Sequence, residues 1–288
     1  MHRKMLAFGV DHSVLLHRQQ VYTSGDNLFA QLLRPSTEGM QKTGKTAHGI
    51  ACSAYSTYIL REDGVYRSGP YRRIVNEEVR SFVANEDFHA YLTSHGEYRD
   101  SEGVVVAGTY DKLRMRGDYL AISDTRGKVS LLAPVTSIAQ PALDFDVTTN
   151  ALWLVTPRGQ CYSGDRLYTL PVKVTAVACG NQHVLVLSED GSVWSQGSDQ
   201  WGQLGTGERV DGTRRHFAAV EGLTSIEQIF AGEDMSAALS TGGKWYVWGR
   251  NDMQQLGLTS PYEGIVAPTL LVEGSFSKKN TYSRTTYH

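Results

Sequence analysis

A 28-residue stretch occurs twice in the chain without a gap, ACGNQHVLVLSEDGSVWSQGSDQWGQLG from Ala178 to Gly205 and FAGEDMSAALSTGGKWYVWGRNDMQQLG from Phe230 to Gly257. The copies lie 52 residues apart and share Gly180/Gly232, Leu187/Leu239, Gly191/Gly243, Gly197/Gly249 and the run Gln203-Leu204-Gly205/Gln255-Leu256-Gly257. Glycines in register at a fixed offset mark a repeat, and a repeat leaves few architectures open.

The unit reads as a strand ending in a small residue and glycine, a short polar loop, an apolar strand, a glycine turn and a returning strand. Val184 to Leu187 form an apolar run bounded by turn residues, as expected of a strand buried on both faces. Glu189-Asp190-Gly191 supplies the positive φ of a hairpin turn, and Val193-Trp194 starts the return.

Five decayed units precede these two, at Ala7 to Leu32, Ala51 to Gly69, Val83 to Tyr98, Leu113 to Leu132 and Leu143 to Gly164. The first lacks the turn glycine. Turn glycines Gly64, Gly96, Gly127, Gly159 and Gly191 follow at intervals of 32, 31, 32 and 32 residues. Seven short antiparallel units and no long helical pattern predict an all-β fold, a seven-bladed β-propeller. The units run on without a linker, so residues 1–274 are read as one propeller domain and 275–288 as a basic, flexible tail. Strand-like residues 266–274 are expected to pair with a blade near the N-terminus and close the ring.

The chain has 28 basic and 30 acidic residues, which removes any whole-molecule attraction for nucleic acid. Chromatin or nucleic-acid contact is expected only indirectly, or through the tail with Lys278, Lys279 and Arg284. Cys52 and Cys179 hold the same place in their units and Cys161 stands alone in a strand, so free thiols in a reducing compartment are expected. The apolar start is broken by Asp11 and His12, and no apolar run approaches the roughly 20 residues of a membrane helix. An intracellular protein of the nucleus or cytoplasm, without membrane contact, is the expectation.

Gly39-Met40-Gln41-Lys42-Thr43-Gly44-Lys45-Thr46 satisfies the phosphate-loop pattern. Such a loop must follow a buried strand and open a helix, whereas this one follows Arg34-Pro35-Ser36 and precedes the first strand of unit two. It is read as a flexible loop between blades that binds no nucleotide. His12 and His183 occupy the same position in their units and are read as structural. No zinc-protease helix, nucleophile elbow or Cys-x-x-Cys is present, so no cofactor, metal site or covalent catalysis is expected.

With the units laid out, Cys179-Gly180-Asn181-Gln182-His183, Asp190-Gly191, Trp194 and Gly202-Gln203-Leu204-Gly205 resemble the regulator of chromosome condensation repeat family, as do Trp248-Gly249-Arg250-Asn251 and Gln255-Leu256-Gly257. Unit one keeps Gly9-Val10-Asp11-His12 and Gln31-Leu32. These are seven-bladed propellers named for the nuclear exchange factor of the small GTPase Ran. The resemblance implies that the two residues between the repeat's Gly and His lie on one ring face near the central opening, once per blade.

Those loops carry the candidate partner-binding residues Asp11, Tyr55, Glu86, Asp87, Asp118, Gln182, Glu233 and Asp234, with Arg116 the lone base. The face is expected to be mildly negative and to steer a protein partner, either a small GTPase or a larger complex. The expected function is a protein–protein interaction platform. The alternative is a guanine-nucleotide exchange factor for a Ran-like small GTPase, for which the family's pattern carries over to Asp11, Asp87 and Asp234.

Overall fold

The computed structural model describes residues 5–35, 39–133, 136–209, 212–260 and 263–271. Among them the chain forms 28 strands and no helix. The strands make seven four-stranded antiparallel sheets, each from one continuous stretch: Met5 to Thr46, Gly49 to Val75, Val79 to Val106, Tyr110 to Pro141, Asp144 to Tyr168, Val174 to Ala219 and Ile226 to Leu271. The first strand of each blade touches the first strand of the next, and that of blade seven touches that of blade one. The result is a closed ring whose inner wall is seven parallel-running first strands. The propeller read from the repeat is the fold of the chain.

Blade six shows why the residues choose this form. His183–Ser188 is buried at every position, because it lies second in its sheet with blades on both sides. Its neighbour Val193–Ser198 returns through a turn in which Gly191 adopts φ +79°. The equivalent glycines of blades two to five, Gly64, Gly96, Gly127 and Gly159, are all at positive φ. Blade one makes the same reversal on Arg18 and Gln19, at φ +50° and +63°, with no glycine to relieve it.

The apolar core is divided among the interfaces between blades. Trp153, Val155 and Cys161 of blade five meet Val177, Cys179, Val184 and Val186 of blade six. Leu185, Leu187 and Val193 of blade six meet Ala238 and Trp248 of blade seven. All three cysteines are free. Burial pushes the Cys161 thiol up to about 12 and raises Cys52 and Cys179 as well, so none is a ready nucleophile.

Two expectations are corrected. Gly264–Leu271 does not cross to the N-terminus but pairs with Trp245–Arg250 of its own blade. Blade one already holds four strands of its own, so it offers no vacancy for a strand from the C-terminus. The ring closes by side chains instead. Leu6, Phe8, Leu15 and Met40 of blade one share one cluster with Met235, Ala237, Leu239 and Trp245 of blade seven. A Cβ on Gly232 would lie 2.5 Å from that of Phe8, so the glycine admits the ring. The second correction concerns the phosphate-loop match. Gln41–Thr46 is the outermost strand of blade one, with alternating exposure, and not a loop. It opens no helix, so the anion-binding geometry of that motif has nothing to stand on. Residues 275–288, read as a tail, lie outside the described residues.

Candidate protein-docking face

The loop between the first two strands of each blade begins with a constraint visible in blades one and six. Gly180 N donates to His183 O at 2.9 Å, and Gly9 N to His12 O at 2.9 Å. The imidazole folds back over the glycine, where a Cβ would stand 2.1 Å from Cε1 of His183 and 2.2 Å from that of His12. Both rings are fully buried. His183 Nε2 meets Ser236 Oγ of the next blade at 2.9 Å. Burial lowers His12 to about 4, and burial with Arg116 nearby lowers His183 to about 3. Both are neutral spacers of the loop, as the repeat position suggested.

The loops of blades one to three, and those of blades five to seven, are laced to one another beside the opening. Val10 N donates to Ala54 O at 3.0 Å, Tyr55 N to Glu86 Oε1 at 3.0 Å, Thr149 N to Asn181 O at 3.3 Å and Asn181 N to Glu233 O at 3.0 Å. The structure thus brings the sequence candidates onto one ring of adjoining loops, but in different electrostatic states. Asp11 pairs with Arg250 at 3.0 Å, and Glu86 with Arg67 at 3.6 Å. Glu233 accepts from Asn181 Nδ2 and faces Arg116 at 3.6 Å. Asp234 is half-buried and accepts from Gln203 Nε2 at 3.2 Å; burial and the neighbouring Glu233 raise its pKa. Tyr55 and Gln182 are exposed. Asp87 and Asp118 are exposed too, and among the described residues neither makes an ion pair. The unpaired, exposed carboxylates of this face therefore lie on blades three and four, while those of blades one and seven are tied to Arg250, Arg116 and Gln203.

Sequence reasoning treated Arg116 as one more loop residue, and the structure gives it another place. It ends the inner strand Tyr110–Arg116 of blade four, and its guanidinium reaches Cys179 O of blade six at 2.9 Å and Ala231 O of blade seven at 3.4 Å. Blades four and seven stand on opposite sides of a seven-membered ring, so this side chain reaches across the central opening on the loop face. Below it, Lys112 pairs with Asp144 and Arg114 with Asp146 at 3.6 Å. The second oxygens of those carboxylates accept Val177 N at 3.0 Å and Cys179 N at 2.9 Å from blade six. Burial, with Arg114 alongside, lowers the pKa of Lys112.

An outer set of loops, between the third and fourth strands, was also missed. Phe29, Trp201 and Met253 occupy one equivalent place, each with its backbone N–H donated to the side chain of the glutamine two residues on, Gln31, Gln203 or Gln255. Phe29 is 54% exposed and Met253 48%. The signal was present in the chain: aligning units one, six and seven on their Gln-Leu runs puts Phe29, Trp201 and Met253 in one column.

Two profiles of the Regulator of chromosome condensation (RCC1) repeat match the chain, over residues 174–203 and 190–239, the part where the repeat is sharpest. The complete ring supplies the other blades. Blades six and seven thus carry the regulator of chromosome condensation repeat, and the seven-bladed ring is RCC1-like. The X-linked retinitis pigmentosa GTPase regulator of Homo sapiens is 41% identical over 91 residues, covering 31% of this chain and 9% of that protein. The Regulator of chromosome condensation of Homo sapiens is 31% identical over 104 residues, 35% of this chain and 25% of that protein. The chain thus matches only a small part of these relatives. Yeast RCC1 (Prp20), solved bound to Kap60, superposes with a TM-score of 0.55 at 16% identity over 92% of this chain and 74% of that one, a likeness of fold alone. Among the described residues of this RCC1-like propeller no group of His, Cys, Asp and Glu is placed to hold a metal, and no helix is long and apolar enough to cross a membrane.

Proposed function

We propose that this propeller is a protein-interaction platform that holds a partner against the ring face built from its inner and outer loops. The observation that carries the reading is the loop lacing: a face stitched together by backbone and carboxylate bonds is rigid before binding, so little ordering entropy is lost on association. On it stand two free carboxylates, Asp87 and Asp118, and the exposed apolar residues Phe29, Tyr55 and Met253.

The test is carboxyl footprinting of the tagged protein recovered in its native assembly, compared with the purified chain. Protection of Asp87 and Asp118, with Asp63 and Asp190 of the opposite face unchanged, supports the platform. Equal labelling in both preparations removes it.

A second reading, guanine-nucleotide exchange on a Ran-like GTPase, draws on the names of the relatives. Of the three acids that the resemblance carries over, Asp87 alone is uncommitted, since Asp11 is held by Arg250 and Asp234 by Gln203. Exchange requires tighter binding of the nucleotide-free GTPase than of the loaded form. Release of a fluorescent GDP analogue from Ran by catalytic amounts of the protein, lost in Asp87→Ala, would favour this reading over a passive platform.

A further inference from the structure

Where blades one, two and three meet on this face, a cleft of about 390 Å³ is lined by Phe29, Tyr55, Arg67, Pro70, Arg72 and Glu86. The two rings lie with centroids 5.1 Å apart, and Leu28 beside them is 80% exposed. Scattered exposed apolar residues are ordinary, but two tilted rings in contact lining a concave site, with a third apolar residue next in the chain, are not.

The apolar wall is held in place and does not hang loose. Leu28 N donates to Asp26 Oδ2 at 2.9 Å and Phe29 N to Gln31 Oε1 at 2.8 Å. Asn27 bridges the loop, accepting from Leu32 N at 2.8 Å and donating to Arg34 O at 2.9 Å. The polar part of the lining is cationic by subtraction. Arg67 is engaged by Glu86 at 3.6 Å and donates to Ser56 Oγ at 3.0 Å, while Glu86 also takes Tyr55 N, so these two charges answer each other. Arg72 is exposed and, among the described residues, has no carboxylate partner.

We propose that this cleft binds an acidic, apolar linear segment of a partner protein, an aliphatic or aromatic side chain lying on Phe29 and Tyr55 while a neighbouring carboxylate meets Arg72. The proposal rests on the platform reading and gives it a place and a partner chemistry. A guanidinium offers a carboxylate two parallel donors, a geometry that a basic segment cannot use and would be repelled by. Asp87, next in the chain to Glu86 at the cleft, and Asp118 on blade four add a requirement of opposite sign. A partner that satisfies both is therefore oriented on the ring as well as attached to it.

The experiment is fluorescence anisotropy with a blocked, labelled peptide of repeating Asp-Leu-Glu-Phe, beside its counterpart with lysine in place of both acids. Binding of the acidic peptide, weakened at least about ten-fold by Arg72→Glu and by Tyr55→Ala but unchanged by Arg158→Glu on the opposite face, is the expected result. Each altered side chain is exposed, and matched thermal unfolding checks that the variants remain folded. No binding of the acidic peptide, a preference for the lysine peptide, or equal binding by Arg72→Glu overturns the proposal. Footprint protection at Asp87 and Asp118 without peptide binding would leave the platform standing and remove only the cleft.

Discussion

Arg18 and Gln19 turn blade one with both residues in the left-handed region, where a side chain costs about 1–2 kcal/mol relative to glycine in repeated structure and less in a single turn. Both are exposed, so replacing them removes no core contact. Arg18→Asn with Gln19→Gly is expected to stabilise the protein by about 1 kcal/mol, read as a higher urea midpoint at unchanged slope. The buried histidines act in the other direction. Their folded pKa values, about 4 and about 3, lie below the ordinary 6.5. Between those limits the unfolded chain takes up protons that the fold refuses, so stability falls as pH drops from about 6.5 towards 4, by up to about 1.4 kcal/mol per pH unit for each histidine. His183→Gln should lower stability at neutral pH yet halve that slope; urea titrations across the window check it. A slope untouched by the change would show that other groups set the acid limit. The Gly-x-x-His spacing was legible as structural in the chain, because a repeated histidine seldom serves one chemical event. That the glycine exists to admit its imidazole became visible only in the fold.

The charged ladder on the inner strands of blades four and five is the element least apparent from the sequence. Lys112, Arg114 and Arg116 alternate along one strand, a pattern usually read as a solvated face. Their partners were nevertheless within reach of sequence reasoning: Asp144 and Asp146 stand 32 residues beyond Lys112 and Arg114, the same interval that separates Gly127 from Gly159. Opposite charges at equivalent places of neighbouring units meet across a blade boundary. The carboxylates also close the backbone of blade six, so their loss leaves N–H groups without acceptors. Asp146→Ala is expected to cost about 2 kcal/mol and to speed amide exchange at Cys179, while Asp146→Asn, which retains an acceptor oxygen, costs less. Equal costs for the two would place the contribution in the pairing with Arg114 instead.

At the level of the ring, the seam between blades seven and one differs from every other boundary in joining blades far apart in sequence, and it does so without an exchanged strand. Phe8 stands at its centre against Gly232. Phe8→Ala is expected to cost about 3–5 kcal/mol and to release amide protection first in Met5–Phe8 and Ile226–Gly232, as hydrogen exchange would report. Uniform loss over all blades would mean that the seam does not open on its own. The number and order of blades were legible because the hairpin turns of blades two to six carry glycine at intervals of 31 or 32 residues, while blades one and seven keep the glycine that opens the loop and the Gln-Leu run. The mode of closure was not, since a strand's sequence states that it will pair but not with which neighbour. Each blade being one unbroken stretch of chain, a nascent polypeptide can complete one sheet before the next is translated. No first strand has to wait, exposed, for a distant last one, and the contact deferred longest during synthesis is the meeting of two finished blades.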